Sequence, residues 1–426
     1  MTATTYMPTT TLHPDLERRR SGRGVRRNRI GFWVVALAFM TVMAFTTVPT
    51  PLWSLYAQQD HFSSFTVTIA FGVYALAVAL SLFLAGHLSD WHGRRKVLLP
   101  AITLQILAAV VFAVWPVLPG LLVGRILSGL GVGAVTATAT AWLADLEIIG
   151  ARRAQLVAIG ANLGGLGLGG LISGALAEWT SSALLVPFVV FAILLAMAWV
   201  GVLTAPETHR SISPTPRYRP QRISVPSRSR GRFLAAAIGA VITYAVFGLL
   251  TSLAPSFVAG TLHEPSHLLA GAVPFAALAT AAIAQILTST RTTHEVLAAA
   301  IPAILAGLAL LTIAVWLPSP SLGVFLVGDI LVGAGGGLMF KGAIATVSEI
   351  SAPEHRAEAL AGLFLAAYLG LAVPVIGLGA LTQIASTRVS LLVFAGLLAL
   401  GVLAATPALV GRRHRPPVLS TPATSN

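Results

Sequence analysis

The sequence has no cysteine and very little charge. Its 426 residues include no Cys, and only 10% of them are Asp, Glu, Lys or Arg. The absence of cysteine excludes disulfides, thiol chemistry and cysteine metal sites. A water-soluble protein of this length would carry roughly a quarter charged residues, so the low charge indicates a membrane protein. All ten histidines lie in tails, in loops or at the ends of apolar segments, which argues against a histidine proton relay in mid-membrane.

Long apolar segments are what the chain has in abundance. A helix needs ~20 apolar residues to cross a bilayer, and about twelve segments are that long. They cover residues 30–55, 63–85, 97–118, 119–144, 154–177, 182–203, 233–258, 268–287, 295–317, 321–347, 357–381 and 389–410. The sequence therefore predicts an all-α polytopic membrane protein with twelve transmembrane helices.

The basic residues are distributed unevenly between the connecting segments. If the chain crosses the membrane twelve times, 24 of its 27 Lys and Arg residues fall on one side. The opposite loops hold only Arg388, beside acids such as Asp60 and Glu264. This positive-inside bias predicts that both termini are cytoplasmic, and it fits the net charge of +13 better than a nucleic-acid-binding arm does.

The basic start precedes an apolar run that is too long for a cleavable signal peptide, so we interpret this run as a first membrane anchor. The preference for Arg over Lys, with abundant Ala and Gly, favours a high-GC bacterial genome, and we therefore expect the protein in a bacterial cytoplasmic membrane.

A Pro-, Ser- and Arg-rich stretch divides the chain into two similar halves. It predicts a cytoplasmic linker at 205–232 between six-helix bundles at 30–204 and 233–411, with a basic cytoplasmic tail at 1–29 and a second tail at 412–426. GRILSGLGVG begins at Gly124, and GDILVGAGGG begins 204 residues later at Gly328. Repeated six-helix halves are typical of secondary transporters, whose substrate site lies between the halves.

Two motifs carry a family resemblance. Residues 86–99 read GHLSDWHGRRKVLL, which is similar to the signature loop of the major facilitator superfamily, and residues 125–133 read RILSGLGVG, which matches that family's Arg-x-x-x-Gly-x-Gly-x-Gly pattern. The resemblance covers residues 30–411 and implies two pseudo-symmetric bundles with alternating access. The sequence PTPLWSLYAQQ in the first segment resembles bacterial drug and metabolite exporters of the twelve-span type. The run NLGGLGLGGLISG resembles the antiporter motif, with Leu166 where one alignment expects proline.

The resemblance also implies roles for three charged residues near the second and fourth segments. Asp90 is expected to contact the cytoplasmic end of the opposite half, near the eleventh segment, while Arg94 pairs with Asp145. A pair that forms in only one state biases a conformational equilibrium. The simpler interpretation is a solvated turn whose basic residues set topology.

Charges well inside the apolar segments are restricted to Arg125, Asp329 and Lys341. Intramembrane charge is costly and is often functional. Arg125 and Asp329 occupy equivalent repeat positions, so we expect them to approach each other when the outer side is closed and to separate when it opens, leaving Asp329 free to take up a proton. The alternative is that each is satisfied within its own half. Lys341 lies near the cytoplasmic end of its segment, where snorkelling explains it.

Glycines and aromatic residues supply the remaining candidates. Small residues allow close helix contacts, and we predict helix packing at Gly129, Gly131, Gly133, Gly165, Gly169, Gly333, Gly335 and Gly337. Aromatic residues predicted to line a cavity are Trp53, Tyr56, Tyr74, Tyr244, Phe247, Phe340 and Tyr368, with packing or lipid contact as the alternative for each. An aromatic cavity suits amphipathic or cationic organic compounds better than sugars.

The sequence contains no phosphate-binding loop, no nucleophile–base arrangement and no metal-ligand cluster. We therefore predict a transporter rather than an enzyme, with no cofactor and no metal. The first hypothesis is proton-coupled export of a small amphipathic compound or drug by a monomer in the lipid bilayer, with no nucleic-acid partner. The alternatives are uptake or facilitated diffusion of a nutrient, and a membrane sensor that transports nothing.

Overall fold

The computed structural model describes residues 14–61, 63–86, 88–208, 229–264 and 266–410, and these are almost entirely helical. Twelve of the helices are long and apolar enough to cross a membrane. In chain order, spans 1 to 12 are Gly24–Asp60, Phe65–His92, Arg94–Val114, Leu118–Leu146, Ala151–Trp179, Val186–Thr204, Arg230–Ser252, His267–Leu287, Thr293–Trp316, Leu322–Ile350, Pro353–Leu381 and Thr387–Val410. The predicted twelve-span all-α fold is confirmed. Most of the predicted linker and tails, at 1–13, 209–228 and 411–426, lies outside the described residues.

Two spans depart from regular α-helix in ways that shape the interior. Span 1 begins within the helix Pro14–Thr47 and continues through the 3-10 turn Thr50–Leu52 and the helix Trp53–Asp60. The break coincides with Pro49 and Pro51, which have no backbone N–H to donate. Span 5 contains the π-helical turn Gly160–Gly164 between the α-helices Ala151–Ile159 and Gly165–Trp179.

Spans 1–6 and spans 7–12 form two bundles, each around its own apolar core. The repeat seen in the sequence is visible in their lengths, because spans 4 and 10 both have 29 residues, at Leu118–Leu146 and Leu322–Ile350. Spans 6 and 12 present large apolar side chains outward, including Met197, Leu397 and Leu400. Such a surface is suited to lipid.

The bundles meet mainly through two pairs of helices, span 5 with span 8 and span 2 with span 11. We call the membrane face at which span 1 begins and span 12 ends the tail face, and the opposite face the far face. Because successive spans run in opposite directions, spans 5 and 11 end at the far face, and spans 2 and 8 begin there.

Candidate functional site

A cavity of about 390 Å³ lies between the two bundles. Its wall extends from Ala144 and Ala151, at the tail-face ends of spans 4 and 5, to Thr47 of span 1 and Thr251 of span 7, both beyond the midpoints of their helices. The cavity therefore opens towards the tail face. Among the described residues that line it, none is Asp, Glu, Lys, Arg or His.

The deep end of the cavity is aromatic. Five of the seven aromatic residues predicted for the wall lie there: Tyr74, Tyr244, Phe247, Phe340 and Tyr368. The ring centroid of Tyr244 is 5.1 Å from that of Phe340 and 5.3 Å from that of Tyr368. The cluster is held by ring contacts that favour tilted and edge-to-face geometry.

Trp53 and Tyr56 lie elsewhere, which corrects the prediction for these two residues. Both are buried inside the first bundle, with 1% and 0% of their surface exposed. They follow the proline break in span 1, and the short helix Trp53–Asp60 packs them against Arg125, whose guanidinium carbon is 5.0 Å from the Trp53 ring centroid. They belong to the support of Arg125 and not to the cavity wall.

Arg125 is buried behind this wall, with 1% of its surface exposed. Its Nη1 donates to the Thr46 carbonyl at 2.9 Å. The Phe71 and Tyr74 rings, which face the cavity, have their centroids 5.6 and 5.5 Å from its guanidinium carbon. Cation–π contacts of this kind offset part of the cost of a desolvated cation.

Asp329 is buried in the second bundle, with none of its surface exposed. It lies against Ala277 of span 8, and neither carboxylate oxygen has a side-chain partner among the described residues. The far face is closed in this state, yet Arg125 and Asp329 form no ion pair with each other among the described contacts. The expected cross-cavity pair is therefore not formed, because Arg125 is held by a carbonyl and three rings of its own bundle.

A charge cluster at the tail face surrounds Arg94. Its Nε lies 3.0 Å from Asp145 Oδ2, and its Nη1 is bonded to Asp90. Glu207, at the end of span 6, accepts from the backbone N–H groups of Arg94 and Arg95 at 3.0 and 2.9 Å, which caps the start of span 3. The turn before this helix requires Gly93, whose φ is +100°.

The resemblance implied that Asp90 reaches span 11, and in this state it does not. Its hydrogen bond and ion pair are with Arg94 in its own bundle, and 55% of its side chain is exposed. Lys341 caps the end of span 8, since its Nζ donates to the Gln285 carbonyl at 3.1 Å and to Thr288 Oγ1 at 3.0 Å.

The far face is closed by close helix contacts between the bundles. A Cβ on Gly271 of span 8 would come within 2.7 Å of the Gly170 carbonyl carbon of span 5, and one on Gly379 of span 11 would lie 2.7 Å from Thr68 Cγ2 of span 2. Glu178, at the end of span 5, accepts from the His267 backbone N–H at 2.7 Å. That contact joins the two bundles, and Glu178 was not among the residues predicted from the sequence.

All eight glycines predicted for helix packing lie where a neighbouring helix leaves no room for a side chain. The pattern repeats between the halves. Gly131 faces span 3 at Gln105, and its repeat partner Gly335 faces span 9 at Ile304. The others pack as follows: Gly129 and Gly133 on span 2, Gly165 and Gly169 on span 1, and Gly333 and Gly337 on span 8.

Several lining residues were not predicted from the sequence. Phe71 and Phe364 extend the aromatic end, and Gln155 and Gln285 lie towards the tail face. Asn162 stands out in the sequence as a polar residue in an apolar helix, and it lines the cavity. No group of three or more His, Asp or Glu that could hold a metal ion occurs in the described part of the chain.

Comparison with known proteins gives one family match and several structural ones. A family model described as Major Facilitator Superfamily matches residues 34–316. None of the curated proteins matches the sequence. Solved structures of the same fold include a mutant of the nucleoside transporter NupG, with a TM-score of 0.68, 13% identity and coverage of 89% of this chain and 99% of that one.

Two further solved structures share the architecture. One is a POT family transporter in complex with 5-aminolevulinic acid, with a TM-score of 0.71, 12% identity and coverage of 91% of this chain and 97% of that one. The other is the human organic anion transporter MFSD10 (TETRAN), with a TM-score of 0.64, 16% identity and coverage of 89% and 99% respectively. At these identities the likeness establishes the fold alone.

Proposed function

Since this chain belongs to the Major Facilitator Superfamily and is a transporter rather than an enzyme, we propose that it exports a small amphipathic aromatic compound in exchange for protons. The observation that carries the proposal is the chemistry of the cavity. An aromatic wall with no charged residue among its described members favours apolar rings and does not compensate the lost hydration of an ion. Sugars are disfavoured because their hydroxyls need many polar partners.

The direction of transport is proposed from the orientation of the cavity. The tail face is adjacent to the basic segments of the sequence, which we assign to the cytoplasm by the positive-inside rule. In this orientation both termini are cytoplasmic, and the cavity is accessible to compounds from the cytoplasm and the inner leaflet. A bacterial cytoplasmic membrane and a monomeric transporter complete the proposal.

Proton coupling is proposed for Asp329. An unpaired carboxylate among apolar helices is costly in its ionised form, and Asp329 is fully buried without a side-chain partner among the described residues. Arg125 has one carbonyl and three aromatic rings around it. Its Nε and Nη2 also have no partner among the described residues, but a guanidinium does not give up its proton in proteins. Asp329 is therefore the better candidate for a group that gains and loses a proton during the cycle. It does not line the cavity, so the proton and the substrate would occupy separate sites.

The test is intracellular accumulation of neutral, cationic and anionic aromatic compounds in an efflux-deficient bacterial host. We compare the wild type, Asp329→Asn and an empty vector, each with and without a protonophore, and use Glu264→Gln as a matched change of an exposed far-face acid. We expect the wild type and Glu264→Gln to lower accumulation of neutral aromatic compounds only while the proton gradient is present. Cells that express Asp329→Asn should accumulate as much of these compounds as cells with the empty vector. Export by Asp329→Asn that still depends on the proton gradient would overturn the coupling role of Asp329. Higher accumulation with the wild type than with the vector would indicate uptake.

A further inference from the structure

One polar side chain near the aromatic end of the cavity has no hydrogen-bond partner among the described residues. Asn162 lines the cavity and is half-buried, and its amide makes no hydrogen bond to any described residue. An asparagine inside a helix normally bonds nearby backbone or solvent. Asn162 makes no such bond to the described backbone, and it is part of the cavity wall.

The backbone around Asn162 departs from a regular α-helix. Asn162 is the central residue of the π-helical turn Gly160–Gly164, and single π-turns inside α-helices occur frequently at functional sites.

Several other polar groups of the wall are occupied or lie closer to the tail face. The hydroxyls of Thr136 and Thr251 donate to carbonyls of their own helices. Gln155 and Gln285 lie within a few residues of the tail-face ends of spans 5 and 8. Asn162 lies eleven positions into span 5, which places it about 16 Å from that end and nearer to the aromatic cluster.

We propose that Asn162 determines substrate specificity by hydrogen-bonding the single carbonyl or hydroxyl group of an uncharged aromatic molecule. The rings of that molecule occupy the aromatic end of the cavity. This inference rests on the proposed function only in taking the cavity as the substrate site. A buried polar group left unpaired penalises analogues that lack its partner, so Asn162 selects against pure hydrocarbons while the uncharged wall selects against ions.

The test compares two compounds of similar shape, benzophenone and diphenylmethane, which differ in one carbonyl oxygen. Their dissociation constants are measured by equilibrium dialysis on the full chain in nanodiscs, without any gradient. The quantity to compare between the wild type and each variant is the ratio of the two dissociation constants. The two compounds differ in hydrophobicity by the same amount in every sample, so this difference cancels in the comparison. We expect Asn162→Leu to lower the relative preference for benzophenone by about fivefold to tenfold, the usual worth of one hydrogen bond.

Two further variants control the comparison. Asn162→Ala removes the same amide with a smaller side chain, so it should lower the ratio as Asn162→Leu does even if leucine disturbs packing. Gln155→Leu removes a free amide two turns nearer the tail face and should leave the ratio within twofold. Irradiation of bound benzophenone should label peptides that contain Tyr244 or Phe340.

Each other outcome overturns the inference. If the ratio is unchanged in both Asn162 variants, Asn162 does not recognise the carbonyl group. If Gln155→Leu lowers the ratio as much as the Asn162 variants do, the effect is not specific to Asn162. If the wild type binds neither compound, the proposed substrate class is wrong. Labelling outside the cavity would place the binding elsewhere. Binding in nanodiscs depends on neither transport direction nor Asp329, so failure of proton-coupled export would leave this result intact.

Discussion

Replacement of Glu178 should open the far face of the transporter. One carboxylate oxygen of Glu178 accepts from the backbone N–H groups of His267 and Leu268 at 2.7 and 3.3 Å, and from the Ser266 hydroxyl at 3.3 Å. An acid from one bundle thus caps the first turn of span 8 in the other. Opening the far face would separate spans 5 and 8 and break all three hydrogen bonds.

The size of the effect follows from this geometry. An acid at a helix N-terminus and an N-cap bond each contribute about 0.5–1 kcal/mol at exposed positions, and Glu178 is exposed. We take about 1 kcal/mol for the contact, which corresponds to an approximately fivefold change in a two-state ratio. Glu178→Ala should therefore raise the ratio of far-face-open to far-face-closed molecules about fivefold. Glu178→Gln should have a smaller effect, since its side-chain oxygen still accepts a hydrogen bond.

The absence of cysteine makes the assay direct, because labels attach only where cysteine is introduced. Spin labels at Ser181→Cys and Ile384→Cys lie on exposed positions just beyond spans 5 and 11 at the far face, and pulsed dipolar spectroscopy reports the distance between them. Glu264→Gln is the matched control, an exposed acid on the same face with no side-chain bond to the opposite bundle among the described contacts. If the open fraction in Glu178→Ala stays within twofold of the wild type, the contact does not stabilise the closed far face.

Two predictions concern stability and are measured by thermal melting in detergent. Gly333→Leu should destabilise the protein by about 1–3 kcal/mol, because a Cβ at this position would lie 2.6 Å from a backbone atom of span 8. Gly377→Leu should have little effect, because a Cβ there would have no atom within 4 Å. Equal losses of stability in the two variants would show that close packing is not the cause. Asp145→Asn should lower the melting temperature more than Asp90→Asn. Both carboxylates pair with Arg94, but the Asp145 side chain is 34% exposed and the Asp90 side chain 55%, and exposed ion pairs contribute less to stability. A larger loss in Asp90→Asn would contradict this ranking.

Hydropathy predicted the number and order of the spans but not their full lengths. Span 1 was expected at 30–55 and covers Gly24–Asp60. The helix continues past the apolar core at both ends, through Arg26, Arg27 and Arg29 on one side and Gln58 and Gln59 on the other. Charged and amide side chains continue a helix without adding to its hydropathy, so an apolar window locates the membrane core of a span more accurately than its ends.

The orientation of side chains around each helix was harder to predict. Tyr74 and Tyr244 were expected at the cavity and lie there, whereas Trp53 and Tyr56 were expected there and pack on Arg125. The difference arises from the 3-10 turn Thr50–Leu52, whose three residues per turn shift the helical register of the side chains that follow. The sequence shows where a proline interrupts a helix, but it does not show which face of the following turns is directed towards the cavity.

Contacts between the halves gave the weakest sequence signal. Glu178 is an exposed acid at the end of a span, and nothing local indicates that it caps a helix almost 90 residues away. The expected pairing of Arg125 with Asp329 assumed that equivalent positions in the two repeats face each other. Each instead faces its own bundle, since Arg125 bonds to span 1 and Asp329 lies against span 8.

Span 8 connects the features that the proposed cycle requires. Its first turn is capped by Glu178 at the far face, its middle contacts Asp329 at Ala277, and its residues Leu278 and Gln285 line the cavity. If Asp329 is the proton carrier, a change in its charge acts on the same helix that closes the far face and borders the substrate. Coupling between proton and substrate would then need no direct contact between them, because a change in the position of span 8 would alter both sites together. On this argument Asp329→Asn and Glu178→Ala both shift the position of span 8, so their effects on the far-face distance should not be additive.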